Sequence, residues 1–86
     1  MKTTGMFRES LAQIPNDVRI EVDLSFAIAD KIDAILRTKG MTQKEFARKM
    51  GKTEAEVSRW VGGTHNFTLR TIAKISDILG ERILTV

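Results

Sequence analysis

Cysteine and tyrosine are absent from the 86 residues, and proline and histidine occur once each. Without cysteine there is no disulfide framework and no thiolate zinc site, and the lone His65 cannot complete a metal set. No apolar run approaches the roughly 18 residues of a membrane span, and no charged-then-apolar signal segment opens the chain. The expectation is a soluble cytoplasmic protein with no metal, no cofactor and no membrane partner. Catalytic groupings are equally scarce. Asp30 and Asp33 lie close on one helix, but no partner histidine, metal set or glycine-rich phosphate loop accompanies them. Such acids normally form a solvated face, so no enzyme is expected.

A chain of this length holds one small domain, whose core is marginal without support such as dimerisation. The net charge of +3 is unevenly spread. Through Thr38 there are five basic and six acidic residues, and from Lys39 onward nine basic and five acidic. The second part is therefore the one suited to a polyanionic partner.

That basic part contains the stretch around which the chain is organised, Thr42 to Gly62, TQKEFARKMGKTEAEVSRWVG. Thr42 with Glu45 three residues on reads as a capping box, and Thr53 with Glu56 repeats it, so two helices start eleven residues apart. Gly51 between them suits a left-handed helix end and a sharp turn. Ala47 is small where the helices must approach, while Phe46, Met50, Val57 and Trp60 face inward. This is the layout of a helix-turn-helix. In such a unit the second helix enters the major groove and the first crosses the backbone. With Val57 and Trp60 turned inward, the outward residues of the second helix are Glu54, Ala55, Ser58 and Arg59. Arg59 is the leading candidate for base recognition, because its fork can donate twice to a guanine edge. The plainer reading is a solvated helix arginine. Lys52 and Thr53 would sit nearer phosphate. Glu56 reads as a stabiliser of the helix start, whereas Glu54 could accept from a cytosine amine or simply repel phosphate.

Counted from Gln43, Ala47 is fifth, Gly51 ninth, Val57 fifteenth and Trp60 eighteenth, and in this the stretch resembles the phage-repressor-like (Cro/C1, or Xre) helix-turn-helix family. The resemblance covers about Ala27 to Leu79. It implies a lambda-repressor-like domain of about five helices that binds double-stranded DNA. Glu54, Ala55 and Arg59 match the family's usual base-facing positions, and Gln43 matches a phosphate-bonding residue on the first helix. The loop carrying His65 and Asn66 falls where family members approach the DNA backbone, and with Arg70 it could grip a phosphate. For His65 an exposed loop histidine is the competing reading.

The remaining elements are less firmly marked. A short helix is expected over Met6 to Ile14, interrupted by Pro15. Residues 18 to 24 alternate like a strand but also carry a helical stripe through Val18, Val22, Phe26 and Ala29. The uninterrupted continuation to Leu36 favours one helix from about Asp17 to Lys39, stopped at Gly40. Met41 with Phe46, and Phe67 with Ile72, read as hydrophobic staples. A last helix, capped by Thr68 and ended by Gly80, would present Leu69, Ile72, Ala73, Ser76 and Leu79 on one face, widened by Ile75 and Ile78. The tail allows a brief strand or a docking segment.

The expected architecture is an all-α compact bundle, divided into an N-terminal extension over 1–15, the helix-turn-helix domain over 16–80 and a tail over 81–86. One recognition helix reads few base pairs, which favours a homodimeric repressor on a two-fold symmetric operator. The N-terminal extension also resembles small antitoxins of the HigA type, which implies a cognate toxin as a second partner.

Overall fold

The computed structural model describes residues 14–63 and 65–86 and is helical throughout its regular structure. Four helices follow in order: α1 (Asn16–Lys39), α2 (Gln43–Met50), α3 (Glu54–Val61) and α4 (Leu69–Leu79). The short helix expected over Met6 to Ile14 lies outside the described residues, apart from Ile14.

Each boundary has a local cause. The chain enters α1 at Pro15, whose carbonyl accepts from the amides of Val18 and Arg19 at 3.1 and 3.2 Å. Asn16 is therefore the first helical residue rather than a cap. Gly40, at φ 65°, lets α1 end in a left-handed turn, in which the Met41 amide reaches back to Leu36 O at 2.9 Å. The capping box of α2 is complete. The Glu45 amide donates to Thr42 Oγ1 at 3.1 Å, and the Thr42 amide donates to the Glu45 carboxylate at 3.3 Å. At Thr53 only half of the device forms. Its hydroxyl accepts from the Glu56 amide at 3.1 Å, but the Glu56 carboxylate takes the hydroxyl proton of Thr53 instead of its amide. Thr68 caps α4 through the Thr71 amide.

The residues 18 to 24 are helical, which settles the strand-or-helix ambiguity. Burial along α1, however, begins only at Ile28. Val18, Val22 and Phe26 of the expected stripe remain substantially exposed. From Ile28 onward, Ile28, Ile32, Ile35 and Leu36 join Phe46, Ala47 and Met50 of α2, Val57 and Trp60 of α3, and Ile72, Ile75 and Leu79 of α4 in one core. Ala47, 2 % exposed, sits among these larger side chains as the expected close approach requires. The buried face of α4 is narrower than expected: Leu69 and Ala73 point outward, and Leu69 is 77 % exposed. The tail docks without forming a strand. Ser76 Oγ donates to Ile72 O and accepts from the Ile83 amide at 3.1 Å, which brings Ile83 into the core.

Candidate nucleic-acid interface

The surface offered by α2 and α3 follows from what the core consumes. Val57 and Trp60 are 0 % and 4 % exposed, so the rotation of α3 about its axis is set by burial. The Trp60 ring meets Phe46 and Phe67 edge-on, with centroids 6.2 and 6.0 Å apart, which assigns this tryptophan to packing and not to base stacking. The opposite arc of α3, spanning about 140° at 3.6 residues per turn, carries Glu54, Ala55, Ser58 and Arg59, all exposed. Glu56 is half-buried and engaged with Thr53.

Beside this arc, Lys44 and Arg48 of α2 meet Lys52 and Glu54 along an open groove. Lys44 and Arg48 are one helical turn apart and exposed. Among the described residues the one ion pair joins Arg37 to Asp33 at 3.0 Å, so these three cations have no carboxylate partner in the fold. From sequence, Arg48 reads as an ordinary surface charge that could also lie near DNA, and Lys44 is not singled out. Their four-residue spacing, on the flank away from Phe46 and Met50, was the signal that could have found them. Gln43 is the first residue of α2 and half-buried, next to the Thr42 cap. Thr53 is exposed at the start of α3, its hydroxyl occupied by capping.

The loop after α3 is built on Gly63, which is buried at φ 91°. A Cβ there would lie 2.3 Å from the Phe26 ring, so the backbone passes directly against α1 at a place where only glycine fits. Beyond it, His65 is half-buried. Its ring lies 4.8 Å from Phe67 and 5.8 Å from Trp60, so it packs into the aromatic cluster rather than standing free on the loop. Asn66 and Arg70 are exposed, Arg70 in the first turn of α4. At the far end of α2, Lys74 Nζ donates to Met50 O at 2.9 Å, so a cation from α4 satisfies a helix-end carbonyl.

The two capped helices, the left-handed glycine between them and the aromatic hub under the second reproduce a helix-turn-helix in register. The model of the Cro/C1-type HTH DNA-binding domain matches residues 31–84. The chain belongs to this family. Neither a curated protein nor a solved structure matches it. The Cro/C1-type match takes in α2, α3, α4 and α1 from Lys31 onward, and it begins after the exposed part of α1 and the first two buried residues, Ile28 and Ala29. As a Cro/C1-type protein the chain carries a DNA-binding domain. Among the described residues no helix is long and apolar enough to cross a membrane, and no cluster of three or more metal-ligating side chains occurs.

Proposed function

We propose that this chain is a sequence-specific transcriptional repressor that binds a two-fold symmetric operator as a homodimer, with α3 in the major groove of each half-site. The observation that carries this reading is the exposed outward arc of α3 beside a groove of cations suited to phosphate. Lys44, Arg48 and Lys52 line that groove with Glu54, Asn66 and Arg70 are exposed on the segment that follows α3, and none of these cations is paired within the described fold. Arg59 reads a guanine edge from the centre of the arc, and Ala55 and Ser58 contact neighbouring base edges. Glu54 either accepts from a cytosine amine or excludes mismatched sites by repulsion. Gln43, Lys52, Thr53, Asn66 and Arg70 hold the backbone in register. His65 contributes by fixing the path of the loop through its aromatic contacts, with its polar edge near phosphate.

The test uses a duplex enriched from a random pool by the wild-type chain, beside a scrambled duplex. Arg59→Ala should weaken the enriched duplex by roughly 5- to 150-fold, the equivalent of one bidentate base contact, and leave the scrambled duplex nearly unchanged. Equal losses on both would recast Arg59 as a phosphate contact. No binding of either at low salt would overturn the regulator reading.

A second role, neutralisation of a cognate toxin, is a competing use of the exposed apolar residues at the start of α1. Its test is co-expression with the product of an adjacent short reading frame of basic, ribonuclease-like composition. Failure to restore growth would remove it.

A further inference from the structure

From Asn16 to Ala27 no residue of α1 is buried, yet Val18, Ile20, Val22, Leu24 and Phe26 are large and apolar and 42–50 % exposed. This arm precedes the family match at Lys31. At 100° per residue its apolar side chains form two stripes. Leu24 looks back toward the body, lining a small cavity with Ile28, Phe67, Ile72 and Leu84. The other stripe, Val18, Val22 and Phe26, is 42–45 % exposed, with Phe26 lying against Gly63. Three turns of helix with so little burial are marginal in water, so the arm is completed by whatever covers that stripe.

We infer that the stripe is covered by the same stripe of a second copy, the two arms crossing antiparallel about Val22. The charges carry the argument. Arg19 and Asp23 flank one edge of the stripe, one turn apart and opposite in sign. In an antiparallel pair centred on Val22, Val18 of each copy faces Phe26 of the other, and Arg19 of each lies beside Asp23 of the other. Neither residue has an ion-pair partner among the described residues. The contact is self-complementary, as a two-fold interface must be.

The arm also has a suitable length. Ile32, fully buried where α1 crosses the body, is ten residues from Val22. At 1.5 Å per residue the two bodies would stand about 30 Å apart across the axis, close to the roughly 34 Å between successive half-sites on one face of DNA. This spacing clause rests on the DNA-binding reading; the pairing itself does not. The stripe is small for an interface, so the dimer should dissociate on the order of micromolar concentrations.

The experiment is sedimentation equilibrium of the full chain without DNA. The wild type should show a reversible monomer–dimer equilibrium. Val22→Glu should raise its dissociation constant at least tenfold. Arg19→Asp and Asp23→Arg should each weaken the dimer, and the two together should recover it. Circular-dichroism melts read at one low concentration should stay close to wild type, since none of these side chains is in the core. A wild type monomeric at about 100 µM, an unaffected Val22→Glu, or a double variant no better than the singles would overturn the proposal. So would loss of the dimer in Leu69→Glu alone, which would move the contact to the groove between α4 and the tail. Because no DNA is present, failure of the operator reading would leave these results standing and remove only the spacing clause.

Discussion

Replacing Gly63 by alanine isolates the contact between the loop after α3 and the arm of α1. Two independent costs arise. An alanine held at φ 91° is strained by about 1–3 kcal/mol. Its Cβ would also stand 2.3 Å from Cδ1 and Cε1 of Phe26, and displacing that ring is an overpacking defect of about 1–3 kcal/mol. Gly63→Ala alone should therefore destabilise by about 2–6 kcal/mol, whereas in a Phe26→Ala background the second cost vanishes and about 1–3 kcal/mol remains. The difference between backgrounds, about 1–3 kcal/mol, is the coupling energy. Urea denaturation followed by fluorescence of Trp60, the single tryptophan and 4 % exposed, reads it directly. At a slope of about 1 kcal/mol per molar, the midpoint of the double variant should lie about 1 M or more above the additive value. Additive losses within about 0.5 kcal/mol would refute a steric contact between Phe26 and Gly63.

The caps make a paired prediction. Glu45→Ala should cost about 0.5–1.5 kcal/mol more than Glu56→Ala in urea denaturation, because only the Glu45 carboxylate accepts from the amide of its N-cap residue; the reverse order would contradict the asymmetry of the two boxes. Arg48→Ala should weaken enriched and scrambled duplexes alike and reduce the slope of log affinity against log salt by about 0.9, the value for one phosphate contact. An unchanged slope in fluorescence anisotropy would remove Arg48 from the interface.

Much of this fold could be read from the sequence because its signals are local. Thr42, Thr53 and Thr68 cap helices through amides three residues away, and Gly40, Gly51 and Gly80 end them at positive φ. Such chemistry is complete within one turn. The outward arc of α3 was legible for a related reason, since fixing Val57 and Trp60 fixes its opposite side. Periodicity says less about coverage. It shows which residues of a helix share a face, not whether another element reaches that face, and so Val18, Val22 and Leu69 were assigned to packing that the fold does not provide. Contacts between distant residues were invisible for the same reason. Lys74 on Met50 O spans 24 residues, and the His65 ring reaches Trp60 only because Gly63 redirects the loop.

The alternation in the arm has a consequence for the unfolded chain. Val18, Ile20, Val22, Leu24 and Phe26 occupy every second position, so loss of helix would align all five on one face of an extended segment. That is the pattern of an aggregation-prone strand, with a free edge on each side. Arg19, Glu21 and Asp23 interleave it and act as gatekeepers, but they do not abolish the propensity. Holding the segment helical, with one stripe against the body and the other against a second copy, keeps that edge out of reach.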